Sequence, residues 1–312
     1  MQISEFPPVT DCWFLTGPTA SGKTQLGVKL AAHLNAEIIS LDSMALYRGM
    51  DVGTAKPMAD ERQLVRHHLI DSVEPDQEYS LAQYVQAAHA AAVDIKSRGL
   101  KVLFVGGTPL YLKALLRGIF EGPPADWEYR GQLQAESAAS GPEQLHARLT
   151  QVDPATAARL HPQDVRRIVR ALEVYDKTGN RISELQKQFD AAPLQHRNVV
   201  YSLQWPREEL YARIDRRVDA MFDAGLVEEV QRLTAAGRKL SRTAEQAVGY
   251  REVLEYLAGQ YELPTAIQLV KTHTRQFAKR QGTWFRSLKE CRAVEMAEGM
   301  DIAILAARLA EG

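Results

Sequence analysis

Gly17-Pro-Thr-Ala-Ser-Gly-Lys-Thr24 decides the reading of this chain. It matches the phosphate-loop pattern G-x-x-x-x-G-K-[ST] at every fixed position, and its context fits as well. An apolar run, Cys12-Trp-Phe-Leu-Thr16, reads as a buried strand before it, and Lys23 to Leu34 reads as a helix after it. Gly17 and Gly22 permit a tight turn, so that the loop through Pro18, Thr19, Ala20 and Ser21 aims its N–H groups and the helix N-terminus at an anion. Lys23 then brings a point charge to the terminal phosphates, and the Thr24 hydroxyl suits Mg²⁺.

Outward from this loop, short apolar runs alternate with amphipathic stretches. Glu37-Ile-Ile-Ser-Leu41 is a second strand, Ser80 to Arg98 a helix with Ser80 as its N-cap, Lys101 to Val105 a third strand, and Pro109 to Leu116 the start of another helix. Such alternation implies an α/β fold, a P-loop NTPase-like parallel sheet flanked by helices. After Gly122-Pro-Pro124 the pattern becomes helix upon helix, with turn signals at Gly141-Pro142, His161-Pro162 and Thr178-Gly-Asn180. Residues 126–195 therefore read as a helical insertion domain, and residues 1–125 with 196–312 as the core domain. The return strand, about Asn198 to Leu203, leads into helices over about Arg207 to Phe222, Leu226 to Ala236, Ala244 to Leu257 and Pro264 to Leu288.

The 312 residues are 45% hydrophobic and 25% charged, which excludes a disordered or fibrous chain. Apolar runs such as Lys101-Val-Leu-Phe-Val105 are too short to span a bilayer, and Met1-Gln-Ile-Ser-Glu-Phe-Pro-Pro has neither the basic nor the apolar region of a signal peptide, so a soluble, cytoplasmic protein is expected. Cys12 and Cys291 show no metal-like spacing and read as two reduced thiols. The net charge of −1 hides a segregation: residues 159–292 hold 24 Lys/Arg against 17 Asp/Glu. A basic half on a neutral chain suits a polyanion, although a solvated helical surface gives the same count.

A phosphate loop names no reaction, since NTPases and kinases both use one. The third strand ends in Val105-Gly-Gly-Thr108 without a carboxylate, so the acidic candidate is Asp42, where a parallel sheet presents residues to its ligand crevice. Asp42 is either a partner of the magnesium shell or a general base beside the phosphates.

Further stretches carry a family resemblance: Asp42-Ser43-Met44, Tyr47-Arg-Gly-Met-Asp-Val-Gly-Thr-Ala-Lys-Pro57, His67-His-Leu-Ile-Asp71, Val105-Gly-Gly-Thr108, Leu110-Tyr111, Arg167 to Val174, Val248-Gly-Tyr-Arg251 and Arg275 to Arg286. Together with the phosphate loop they resemble the bacterial tRNA dimethylallyltransferases over about residues 12 to 290. The resemblance implies transfer of the dimethylallyl group of dimethylallyl diphosphate to N6 of adenosine 37 in the tRNA anticodon loop, with Mg²⁺, the phosphate loop holding the leaving diphosphate instead of ATP. It implies Asp42 as the base or orienting acceptor at N6, Thr108 near the reacting groups and Arg217 on the diphosphate. Thr108 is also well placed to cap the helix that begins at Pro109.

The same resemblance assigns tRNA contacts to Ser43, Met44, Ala45, Arg130, Arg166, Arg167, Ile168, Val169, Arg170, Gly249, Tyr250, Arg251, Lys279, Arg280, Trp284 and Arg286, within a monomer. Arg166-Arg-Ile-Val-Arg170 falls on a predicted insertion helix, and Lys271, Arg275 and Lys279 form one helical stripe. Trp284 and Phe285 interleave with that stripe as stacking or core residues. Ala45 departs from the family pattern, which often has glutamine there, and His67-His68 reads as a strand-edge or loop feature. Two other classes stay open: a nucleotide kinase or NTPase, which leaves the basic half without a use, and an RNA-binding switch, which leaves Asp42 without one.

Overall fold

A computed structural model describes residues 5–120, 122–186 and 198–312. Its strands are β1 (Glu5–Phe6), β2 (Trp13–Thr16), β3 (Ala36–Ser40), β4 (His67–His68), β5 (Lys101–Gly106), β6 (Ile119–Phe120), β7 (Val199–Gln204) and β8 (Arg292–Glu295). Six of them form one sheet in the order β4-β3-β5-β2-β7-β8, with every pairing parallel. The strands are near-continuous apolar runs because helices cover both faces of a parallel sheet. Leu15, Ile38, Leu103 and Leu203 pack with Leu26 and Leu30 of helix Lys23–Leu34 and with Leu305 and Leu309 of the C-terminal helix Ile302–Ala310.

The central strands and the helix Lys23–Leu34 lie where the sequence places them, because local signals define them. Ser80 and Gln83 form a reciprocal capping box at the start of helix Leu81–Ser97. Several elements differ. The helix expected over Ala244 to Leu257 is two helices, Arg242–Glu245 and Tyr250–Leu257, broken at Gly249 with its φ of 98°. His67-His68, read as a strand-edge or loop feature, is the two-residue edge strand β4, and β8 is mostly exposed and shows no apolar run. The terminal helix Ile302–Ala310 also goes beyond the sequence reading.

The chain divides into two compact units. One gathers the described part of Val9–Lys113 and Gln195–Gly312, and it holds the sheet. The other gathers the described part of Met1–Pro8 and Ala114–Leu194, in which β1 pairs antiparallel with β6. This unit starts earlier than the stretch 126–195 read as an insertion, since that pairing adds both strands to it. The expected end of the insertion, over 187–195, and the reading of Met1 to Ser4 lie outside the described residues. Its helices Trp127–Ser140, Pro142–Val152 and Val165–Thr178 pack around Leu145, Leu149, Ile168 and Leu172.

Candidate active site

The phosphate loop is held by side chains from the second half of the chain, through two of its carbonyls and one amide. Trp205 Nε1 donates to Ser21 O at 3.0 Å and Arg213 Nε to Ala20 O at 2.9 Å, while the Arg213 guanidinium lies 4.2 Å from the Trp205 ring centre. Gln281, on helix Leu263–Ser287, ties the loop to the end of β5: its Oε1 accepts from Thr19 N at 2.9 Å and its Nε2 donates to Gly107 O at 2.5 Å. Lys23 Nζ donates to Pro18 O at 2.6 Å. Burial pushes Lys23 down to about 7, the nearby Arg217 charge acts the same way, and Asp42 opposes both. Burial likewise lowers Arg217, again against Asp42. Lys23 and Arg217 thus bring two cations together beside the phosphate loop, an arrangement that suits an anionic ligand.

Asp42 is positioned by a close approach of two strand ends. A Cβ on Gly106 would stand 2.2 Å from Leu41 O, so β5 meets the turn after β3 only because position 106 is glycine. Thr108 N donates to Leu41 O at 3.1 Å, and the Thr108 hydroxyl accepts from Ser43 N at 3.1 Å. Asp42 Oδ1 accepts from Met44 N at 2.8 Å and, more weakly, from Ala45 N at 3.4 Å, which fixes the carboxylate by its own turn. Thr108 thus braces the Asp42 turn as well as standing at the start of helix Pro109–Arg117.

Two cavities meet at Asp42. The larger, about 520 Å³, runs past Met44, Val218, Met221, Val248, Phe277 and Arg280, within the usual range for a small-molecule site. The smaller, about 110 Å³, has Lys23 and Thr24 on its wall. Thr19, Asp42, Thr54, Arg217, Phe277 and Gln281 line both. Phe277, 38% exposed, is a wall residue that motif reading passed over. Gln281 could have been found, since Val270, Ala278, Gln281 and Phe285 are the buried positions of one helix and a glutamine among them needs buried partners.

The stretches Tyr47 to Pro57 and Val248 to Arg251 meet at a residue that no motif contains. Glu229 is buried and accepts from Asp51 N (2.9 Å), Val52 N (2.8 Å), Gly53 N (3.1 Å) and Tyr250 Oη (2.5 Å). Burial and the Glu229 charge hold the Tyr250 hydroxyl far above its ordinary pKa. Lys56, also buried, donates to Tyr47 O (2.6 Å), Asp51 (2.7 Å) and Asp71 (2.6 Å). Burial acts to raise the Asp71 carboxyl, but its bonds from Lys56 and Arg62 keep it below the ordinary value. Next along, Glu252 is buried beneath Arg251 and His273, whose Nδ1 lies 2.7 Å from Oε1.

Several of the residues expected at the RNA have side chains that are buried or already paired. Tyr250 is fully enclosed and bonded to Glu229, and Ile168 and Val169 sit in the core of the helical unit, so these side chains are not on the surface. Ala45 is also buried, its carbonyl accepting from Asp71 N at 3.2 Å. Arg130 and Arg170 both bind the buried Glu173, at 2.7 and 2.5 Å. Burial acts to raise Glu173, but bonds from Arg130, Asp126 N and Arg170 hold it low. In the basic stripe, Lys271 pairs with Asp219 at 2.6 Å and Arg275 with Asp215 at 3.0 Å. Arg166, Arg167, Lys279, Arg280 and Arg286 are exposed, Trp284 is half-buried and Phe285 is core. The two histidines are the edge strand β4, where His68 Nε2 lies 2.6 Å from Glu37.

Among the described residues no cluster of three or more His, Cys, Asp or Glu is placed to hold a metal, and no helix is long and apolar enough to cross a membrane. The family model for IPP transferase matches residues 45–288. The chain is 47% identical over 296 residues to a tRNA dimethylallyltransferase of Rhodopirellula baltica, covering 92% of this chain and 89% of that protein. It is 46% identical over 274 residues to one of Thermotoga maritima, covering 88% of each. Among solved structures it is similar to the tRNA isopentenylpyrophosphate transferase of Bacillus halodurans, with TM-score 0.72 and 37% identity over 97% of this chain and 95% of that one. It is also similar to a eukaryotic dimethylallyltransferase acting on tRNA, with TM-score 0.76 and 29% identity over 93% of this chain and 75% of that one. With this match over most of its length and the phosphate loop, Asp42 and Thr108 gathered at one crevice, the chain belongs to the IPP transferase family.

Proposed function

We propose that the protein transfers the dimethylallyl group of dimethylallyl diphosphate to N6 of adenosine 37 in the anticodon loop of tRNA, releasing diphosphate. The observation that carries this reading is the position of Asp42 at the junction of a cation-lined phosphate loop and a cavity of about 520 Å³ with room for a nucleobase. An extruded adenine enters the larger cavity and the diphosphate lies on Lys23, Arg217 and the loop amides. The allylic C–O bond breaks with its electron pair going to diphosphate, where these donors stabilise the growing charge. The N6 lone pair forms the new C–N bond, and the N6 proton passes to Asp42.

Mg²⁺ fits the oxygen donors here, Thr24 and Asp42 lining one cavity, provided that the substrate phosphates and water complete its shell. When bound it supplies charge neutralisation on the diphosphate. Every residue of this site belongs to one unit of one chain, which supports a monomeric enzyme, and a tRNA substrate supports action in the cytoplasm.

The decisive experiment supplies Mg²⁺, radiolabelled dimethylallyl diphosphate and unmodified tRNA with adenosines at and beside position 37, then digests the RNA. A single labelled N6-prenyl adenosine establishes donor, acceptor and reaction together. Label absent from RNA that still binds, with ATP turned over instead, overturns the reading in favour of an NTPase.

Two further results are expected. Bound diphosphate favours the charged form of Lys23, so its pKa rises from about 7 on binding. Below pH 7 the amine becomes protonated in the free protein as well, so Lys23 adds little further pH dependence there. Above it, donor binding takes up a proton and weakens by up to about tenfold per pH unit. Calorimetry with dimethylallyl diphosphate in two buffers at pH 8 reads the uptake, and Lys23→Arg flattens the profile because a guanidinium stays charged. A wild-type affinity constant from pH 7 to 9 contradicts the assignment. In the helical unit, Arg166→Ala is expected to weaken tRNA binding and reduce its salt slope by about 1, leaving turnover at saturating tRNA unchanged. Filter binding across a salt series measures both.

A further inference from the structure

The smaller cavity runs along the ends of the sheet: Lys23 and Thr24 follow β2, whereas Ile70 follows β4, three strands away in the order β4-β3-β5-β2. Ile38, Ala45, Lys56 and His67 also line it, and Lys56 is already committed to Tyr47 O, Asp51 and Asp71. An alkyl diphosphate has charge at one end and a hydrocarbon tail at the other. About 110 Å³ is well below the roughly 300 Å³ at which ordinary ligand sites begin, so the space for a tail is short.

Ile70 is presented to this cavity by an unusual backbone. Leu69 and Asp71, on either side of it, are both left-handed, with φ of 58° and 53°. Side chains rarely adopt that conformation unless the surroundings impose it. Here they do: Asp71 N donates to Ala45 O at 3.2 Å, and the Asp71 carboxylate is gripped by Lys56 at 2.6 Å and Arg62 at 2.7 Å. The reaction as derived above uses none of these groups, yet together they fix where Ile70 points.

We infer that Ile70 sets the chain length of the prenyl donor, closing the end of the cavity remote from the phosphate loop behind a five-carbon tail. This rests on the donor reading given above. A ten-carbon allylic diphosphate carries its extra isoprene unit at the end remote from the diphosphate. With its phosphates on Lys23 and its reacting carbon at Asp42, that unit runs into Ile70.

The test compares kcat/KM for dimethylallyl and geranyl diphosphates with the same tRNA. Ile70→Ala is expected to raise the geranyl-to-dimethylallyl ratio about tenfold or more, with Ile70→Val between it and wild type. One methylene in an apolar pocket is worth about 10–200-fold in such ratios. Ile70→Phe, which fills the cavity, is expected to raise KM for dimethylallyl diphosphate at least about tenfold with the KM for tRNA unchanged. If the wild type prenylates tRNA but all three variants keep its ratio and its donor KM, the inference is overturned while the donor reading stands. If the wild type uses neither donor, the donor reading itself falls and the inference with it.

Discussion

Asp42→Asn is expected to lower single-turnover prenyl transfer by about 10²–10⁴-fold, with tRNA affinity within about threefold of wild type. The asparagine oxygen still accepts from Met44 N and Ala45 N, now at 2.8 and 3.4 Å from Asp42 Oδ1, so the turn after β3 keeps its shape. What disappears is the negative charge and the acceptor for the N6 proton. The carboxylate also supports the charge of Lys23, so donor affinity falls as well, and saturating donor removes this second effect from the rate. Rapid quench with labelled donor gives the rate, and filter binding gives the affinity. Near-wild-type transfer would show that Asp42 only orients the amine, and an equal loss of binding would make it an RNA contact. Thr108→Ala is the milder relative of this change, because it releases Ser43 N and loosens the same turn without touching the carboxylate.

The parts of the site legible in the sequence are those whose chemistry requires a fixed local spacing. The loop from Gly17 to Thr24 is one, because backbone amides form an anion cradle only with glycine at the turns and a helix directly behind. Asp42 is another, since the end of a parallel strand faces the crevice whatever else the chain does. Arg217 was reached through resemblance alone, and no spacing links a helix arginine to a loop nearly two hundred residues earlier. Trp205 and Arg213 act on that same loop from the distant second half of the sheet-bearing unit, and each is locally an ordinary strand-end or helix residue. Exposure divides the stretches that resemblance assigns to the RNA. A stretch such as Arg166 to Arg170 alternates exposed arginines with Ile168 and Val169 because a helix turns every 3.6 residues, so half of any contiguous motif on it faces the core. Charge segregation was misleading for the same reason. Arg170, Lys271 and Arg275 belong to the basic count, yet each is committed to a carboxylate of its own unit.

Glu229→Ala is expected to destabilise the sheet-bearing unit by about 4 kcal/mol or more, an exceptional cost for one substitution. The carboxylate is the common acceptor for three consecutive amides, Asp51 to Gly53, and for the Tyr250 hydroxyl. Alanine removes four hydrogen bonds to a charged group, each worth about 1.5–3 kcal/mol, and leaves the hydroxyl of the fully buried Tyr250 beside an empty space. Glu229→Gln keeps one oxygen but turns an NH₂ toward a donor, so it is expected to cost less. Tyr250→Phe removes a single hydrogen bond to a charged group, worth about 1.5–3 kcal/mol. Gly53 belongs to the same assembly, since a Cβ there would stand 2.5 Å from the Tyr250 ring. Urea unfolding measures all of these, and tRNA binding discriminates between two meanings of the Val248-Gly-Tyr-Arg251 stretch. If Tyr250 is a clamp on the loop from Tyr47 to Pro57, Tyr250→Phe lowers the urea midpoint while the folded enzyme binds tRNA with wild-type affinity. If Tyr250 touches RNA, the same substitution weakens binding without moving the midpoint. Its full burial and its 2.5 Å bond to Glu229 favour the clamp.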